Sequence, residues 1–345
     1  MVNIGYLGNN RELRIFISIL LSIGYALLFS QLDLSMFKDL NNYVIYINTL
    51  EYRKFLILEN GIIFYEPLFY LITTLLNVIF TPEGVVKSLI FFNCFTIFFK
   101  IITSYNKSWL NILFLLLCLF QAQIFALQLV TIRQGLGLAV LLWVMPKIRN
   151  KFQFVLLLAI LGTIHNSFFI IALFTGIYYL LENYNIRSEK SRIILLSLFG
   201  FLFNLLLFVF LSFFSTKQAG GYEDLNLQTG GGGFLMWGFM FVYLFFYKKK
   251  RIEYSNMIKI IFEFSVIGLI IYLTSYFLTP IAGRIIGAFF PFIFFLLLYK
   301  MNLEDLLIAI LFLTINFYLF INGGAEGFLE VKLDELINSI VNYIT

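Results

Sequence analysis

The chain contains a single histidine. His165 stands in the stretch GTIHNSFFII, with Thr163, Asn166 and Ser167 as its only polar neighbours. Histidine takes and returns a proton near neutral pH, so His165 is the natural candidate for general acid–base work; a packed, hydrogen-bonded structural histidine is the plain alternative. Earlier in the chain, LQLVTIRQGLGLAVLLW (127–143) places Arg133 and Gln134 inside an apolar run. An arginine at membrane depth costs about 2.5–3.5 kcal/mol on insertion scales and ordinarily faces protein or a wet cavity. Snorkelling is the competing account: the stem lies on lipid and the guanidinium reaches the interface. A second polar residue beside it, and Gly135 and Gly137, which let a backbone or a ligand approach closely, favour a lined cavity. Arg284 in TPIAGRIIG heads another apolar run. Two such guanidinium groups suit a diphosphate, because each can bind phosphate oxygens through paired N–H donors. The competing reading of Arg284 is an interfacial anchor.

Other residues carry less. Glu66 in FYEPLFYLI precedes a proline that starts a helix, where an acid favours the positive end of the helix dipole. Asp39 and Tyr43 in KDLNNY fall in the first large loop, where they can contact a sugar or simply be solvated. The tetraglycine at 230–233 is no phosphate loop, since no Gly-Lys-Ser/Thr follows it; a mobile loop is expected over 215–233. Cys94 and Cys118 both lie in apolar runs and read as packing residues, not as a disulfide framework or metal cage.

The elements that must hold these residues follow from composition. The 345 residues are 61% hydrophobic and 12% charged, far from the roughly even apolar share and one-quarter charged share of soluble domains. Apolar runs of near-span length recur from end to end without period-two alternation, which points to an all-α, polytopic membrane protein and excludes a β-barrel. About eleven spans are expected: 12–30, 85–103, 109–127, 132–147, 152–166, 167–183, 193–214, 234–247, 257–278, 285–300 and 304–321. The shorter segment 65–80 is expected to be re-entrant or interfacial, or else a further span. The first run, Leu13–Ser30, lacks a small-residue cleavage site and reads as a retained span. The whole chain, 1–345, reads as one polytopic membrane domain with external loops at 31–64 and 215–233. Its tail, 322–345, is an amphipathic, acidic surface segment.

The basic loops KIRNK (147–151), RSEKSR (187–192) and KKKR (248–251) are spaced to fall on one side, which the positive-inside rule makes cytoplasmic. Threading from there puts Arg133, His165 and Arg284 toward the outer face. The sidedness of the N-terminus stays open, because it depends on whether 65–80 crosses. Residues 152–183 are too long for one span and too tightly joined for a polar loop, so a break is expected within Thr163–Ser167.

IRQGLGLAV (132–140), the basic turn after it and LGTIHNSFFIIAL (161–173) together resemble the EpsG family, grouped with Wzy-type repeat-unit polymerases. YEPLFYLI (65–72) and AGRIIGAFF (282–290) resemble further segments of that family, so the resemblance covers roughly residues 39–300. In the first loop the sequence departs from the family's Gly-x-Asp-x-x-x-Tyr element, keeping only Asp39-Leu-Asn-Asn-Tyr43. The resemblance implies polymerisation of undecaprenyl-diphosphate-linked oligosaccharides on the outer face of the bacterial cytoplasmic membrane, forming a capsule, O-antigen or exopolysaccharide. It implies that Arg133 and Arg284 hold the diphosphate and that His165 takes the acceptor's proton. Gln134, Asn166 and Ser167 would orient sugars or diphosphate, with Glu66, Asp39 and Tyr43 as further substrate-binding candidates. No cofactor and no metal are expected, since no Asp-x-Asp motif is present. The expected partners are the lipid-linked glycans, the bilayer and, as a candidate, a chain-length regulator; no basic, aromatic-interleaved patch suggests nucleic acid. A transporter of the same glycans is one alternative. A membrane acyltransferase is another, weakened by the lack of an acid beside His165 in the sequence.

Overall fold

The computed structural model describes residues 11–49, 66–184, 186, 188–213, 231–252, 255–279 and 281–344. Residues 215–230 of the expected loop at 215–233, and residues 50–64 of the expected loop at 31–64, lie outside these. Among the described residues the backbone is helical, and the only strand-like pairing is an isolated antiparallel bridge between Phe37 and Leu329. The chain divides into two compact units. The first comprises Met1–Pro146, Leu161–Asn166 and Leu306–Thr345, and the second Lys147–Ile160 and Ser167–Asp305.

In the first unit, α1 (Arg11–Ser30) packs along α4 (Pro82–Ile102), the helix that organises it. The start of α4 is written in its sequence. Thr81 accepts from the Gly84 amide at 3.2 Å, Pro82 occupies the first turn, and Glu83 and Lys100 suit the dipole at either end. The buried residues Val86, Ile90, Cys94, Ile97 and Ile101 recur at helical spacing. Two polar residues on α4 reach across to α7 (Ile132–Val144). Asn93 Nδ2 donates to the Ile132 carbonyl at 3.0 Å, and Trp143 Nε1 donates to Thr96 Oγ1 at 3.1 Å. One bond pins each end of α7, and cross-helix hydrogen bonds of this kind contribute on the order of 0.6 kcal/mol each in membranes.

Residues 109–127, expected as one span, form α5 (Ser108–Leu119) and α6 (Ala122–Leu129), bent by 81°. The apolar run is broken at Gln121, whose side chain bonds to Gln123. Preceding α2 (Leu40–Asn48), the chain makes a short 3-10 turn at Leu34–Met36. Asp33 caps that turn by accepting from the Ser35 amide at 2.9 Å, which holds its carboxyl below the ordinary range. The rest of the unit is α3 (Pro67–Asn77), the turn 163–166, and the chain from Leu306, which carries most of α15 (Leu303–Leu319) and ends in an amphipathic helix, α16 (Leu333–Ile344).

In the second unit, α12 (Asn256–Ser275) is the core helix, buried without a break from Ile260 to Tyr272. Gly268 makes this possible on one side: a Cβ there would meet the Phe289 ring at 2.2 Å. Around α12 stand α9 (Ser167–Asn183), α10 (Glu189–Phe213), α11 (Gly232–Val242), α13 (Ile281–Ile286) and α14 (Phe290–Leu298). Lys151, at the start of α8 (Lys151–Gly162), pairs with Glu182 at the end of α9 and with Glu263 at 3.2 Å. Arg192 joins the same group through Glu182 at 2.7 Å. A second, fully buried set links Lys248 to Asp305 at 2.8 Å.

Among the described residues, five helices are long and apolar enough to cross a membrane, or six if the bent α5–α6 pair is one span. The sequence expectation of about eleven resolves into these and shorter helices. The segment 285–300 is split by a turn ahead of Pro291, leaving nine-residue α14. Segment 234–247 forms α11 and then loosens into a π turn at Tyr243–Tyr247. Segment 65–80 is represented by α3, eleven residues long. The break expected in 163–167 is present: α8 ends at Gly162 and α9 begins at Ser167.

Candidate functional site

Arg133 opens α7, and the sequence before it explains how. The chain leaves α6 at Leu129, turns through Val130 and Thr131, and re-enters helix at Ile132. Thr131 Oγ1 donates to the Ala126 carbonyl at 3.2 Å, tying the turn down. Gly135 is required here, because a Cβ would lie 1.7 Å from the Leu127 carbonyl oxygen and 2.7 Å from Asn93 Nδ2. The room beside Arg133 that the sequence offered to a backbone or a ligand is therefore filled, at Gly135, by backbone. Gln134 and Gly137 are buried on the same helix.

Two tyrosine and phenylalanine rings wall the guanidinium. Tyr43 on α2 has its ring centroid 5.2 Å from Arg133 Cζ, and Phe69 on α3 lies 5.8 Å away. Arg133 Nε donates to Tyr43 Oη at 3.3 Å. Its Nη1 donates to Glu66 Oε2. The Arg133 side chain keeps 34% exposure. It is docked against the faces of Tyr43 and Phe69 and stays part-exposed.

Glu66 is the residue whose importance the sequence understated. Its side chain is 5% exposed. Oε2 takes Arg133, while Oε1 lies 2.6 Å from His165 Nδ1 and accepts the Asn166 amide at 3.3 Å. The expected dipole role is only its position: Glu66 precedes Pro67 at the start of α3, but its carboxylate caps no amide of that helix. The backbone is in the left-handed region, φ 52° and ψ 62°, which costs a residue with a side chain about 1–2 kcal/mol. In exchange the carboxylate turns away from its own helix. The Leu68 amide left uncapped is satisfied by the Thr163 carbonyl at 3.0 Å. One turn thus supplies both the replacement cap and His165.

The Glu66 carboxyl lies ahead of α3 and outside the long apolar helices. Burial opposes its ionisation, but the His165 hydrogen bond and the Arg133 charge outweigh burial and hold it below the ordinary carboxylate range. His165 is 26% exposed. An arginine, a carboxylate and an imidazole in series can hold an anion at the open guanidinium edge and move a proton at the free imidazole nitrogen.

The other expected residues are placed as follows. Tyr43 belongs to the cluster. Asp39 is exposed at the head of the same helix, with φ 66°, and accepts from Asn42 Nδ2 at 3.3 Å, apart from Arg133. Asn166 joins through its backbone amide. Ser167 and Arg284 belong to the second unit. Ser167 Oγ is buried there without a hydrogen-bond partner, and Arg284 is exposed on α13. The objection that His165 has no acid beside it is overturned, because the acid comes from a distant part of the chain. Among the described residues no three His, Cys, Asp or Glu side chains gather in a metal-binding group.

A model of the EpsG family matches residues 15–328. No curated protein and no solved structure shows a significant match. The matched range contains α1 through the Phe37–Leu329 region almost entirely, together with Glu66, Arg133 and His165. This multi-pass membrane protein belongs to the EpsG family of Wzy-type polymerases.

Proposed function

We propose that this chain polymerises lipid-linked oligosaccharide repeat units, drawn from an undecaprenyl-diphosphate donor, on the outer face of the bacterial cytoplasmic membrane. The observation that carries the reading is the meeting of Arg133 and His165 on one buried carboxylate. A polymerase of this kind needs a cation for a diphosphate leaving group and a base for an incoming hydroxyl. Arg133 offers a guanidinium edge beside aromatic walls, and His165 offers a ring nitrogen beside it. The basic loops KIRNK and KKKR support the outward placement of this cluster, by charge asymmetry.

The test is a strain lacking the gene, complemented with wild type, Arg133→Ala or His165→Ala. Wild type restores long glycan ladders; each variant reaches the membrane at normal level and leaves single, unpolymerised repeat units. Long chains in both variants overturn the assignment. Repeat units accumulating on the cytoplasmic side would instead identify a transporter.

A further inference from the structure

Resting on the polymerase reading, we propose that Glu66 is a positioning residue that acts through His165, holding the Nδ1–H tautomer so that the Nε2 lone pair faces the acceptor hydroxyl. The alternative, a substrate-binding carboxylate, conflicts with the geometry. Both Glu66 oxygens already have protein partners, and its side chain is 5% exposed. A carboxylate would also repel an anionic diphosphate.

The ring and the carboxylate are fixed to each other by more than their own contact. Asn166, the residue after the histidine, donates its amide to the same Oε1 at 3.3 Å. Thr163, two residues before it, accepts from the Leu68 amide at 3.0 Å, two residues after the glutamate. The segments around Glu66 and His165 are therefore tied by two further hydrogen bonds flanking the 2.6 Å contact, one between backbones and one from the Asn166 amide to the Glu66 carboxylate. The left-handed backbone at Glu66 serves the same end, since it aims the carboxylate across to the turn and away from its own helix. With Nδ1 donating to a carboxylate, a neutral imidazole has its second nitrogen bare. In the transfer step the acceptor O–H proton moves to Nε2. The acceptor oxygen forms the bond to the anomeric carbon as the anomeric C–O bond to the diphosphate breaks, and the diphosphate leaves with that electron pair. Glu66 stays ionised and balances the imidazolium.

Because His165 is the only histidine, histidine labelled with nitrogen-15 reports this one ring, provided the full chain is purified in nanodiscs without a polyhistidine tag. Wild type is expected to show a protonated Nδ1 and a bare Nε2. Glu66→Gln is expected to lose that preference, because the amide can donate to Nδ1. With a lipid-diphosphate repeat unit as substrate, Glu66→Gln should lower kcat about 100-fold or more with KM little changed, and Glu66→Asp should recover part of the loss. Glu66→Gln should cost nothing further in a His165→Ala background. The proposal is overturned by a wild-type ring protonated at Nε2, by normal kcat in Glu66→Gln, or by a rise in KM alone. Independent, multiplicative losses in the double variant overturn it as well. If Glu66→Gln does not fold, the wild-type spectrum decides. A wild-type protein that makes no polymer yet shows the Nδ1–H ring removes the polymerase reading and leaves the Glu66–His165 assignment standing.

Discussion

The carbonyl oxygen of Leu127 occupies the space that a side chain at Gly135 would need, 1.7 Å from where the Cβ would be. Helices α6 and α7 can fold back on each other only because position 135 carries no Cβ, and Arg133 owes its place to that fold-back. Gly135→Ala should therefore force the helices apart. Overpacking of this kind costs about 1–3 kcal/mol, and here the obstacle is backbone, which cannot rotate aside. We expect a lower melting temperature in detergent and loss of glycan polymer. Gly24→Ala, with nothing within 4 Å of its would-be Cβ, should change neither.

Asn93 tests whether the start of α7 must be held. Its Nδ2 donates to the Ile132 carbonyl from a fully buried position on α4. Asn93→Leu should destabilise by roughly 1 kcal/mol, measured by thermal melting. Polymer yield should fall further than that loss alone would explain, because Ile132 adjoins Arg133. An unchanged yield at reduced stability would mean that α7 keeps its position without this bond.

What was legible in the sequence divides along physical lines. Arg133 and His165 stood out by type, because a charged or titratable group in an apolar run must have a partner or a purpose. The break at 163–166 was legible from length, since residues 152–183 cannot be one straight span. Glu66 was visible only as a residue before a proline. Its partners lie 67 and 99 positions away, and no local pattern encodes a contact at that distance. The one faint sign was an acid heading an otherwise uncharged helix, and the dipole explanation absorbed it. The count of about eleven spans is not confirmed for a related reason: among the described residues five or six helices are long and apolar enough to cross a membrane. Apolarity marks segments that avoid water but does not show whether a segment runs as one helix, so the 81° bend at Gln121 and the short α14 were hidden. Gly135 was read correctly as a place of close approach, while the approaching group, the Leu127 carbonyl, was set by tertiary packing.

Tyr43 separates a wall from a hydrogen bond. Its ring lies over the Arg133 guanidinium and its hydroxyl accepts from Nε at 3.3 Å. Tyr43→Phe keeps the ring and should weaken binding of a lipid diphosphate by no more than roughly 1 kcal/mol. Tyr43→Ala removes the wall as well, including a cation–π contribution of about 0.5–2 kcal/mol, and should cost distinctly more. Titration of purified protein with undecaprenyl diphosphate measures both. Equal losses would assign the whole effect to the hydroxyl.

The second unit offers a test of stability free of the candidate site. Lys248 and Asp305 are both fully buried and lie 2.8 Å apart. Lys248 also donates to the Leu297 carbonyl at 3.0 Å, while Asp305 accepts from Tyr243 Oη at 2.7 Å and from the Asn302 amide at 2.9 Å. Removing one charge strands the other in a dry interior, at a cost of about 3–5 kcal/mol. Lys248→Met should therefore lower stability by that order, far more than the lost packing of one side chain that has a near-isosteric replacement. Adding Asp305→Asn removes the stranded charge; its single side-chain oxygen can accept from the Asn302 amide while its amide NH2 donates to the Tyr243 hydroxyl oxygen, which then accepts. The double variant should melt above Lys248→Met alone, recovering about half of the loss or more. If the two melt together, the stranded carboxylate is not the source of the cost, and the Leu297 carbonyl left without its donor becomes the remaining cause.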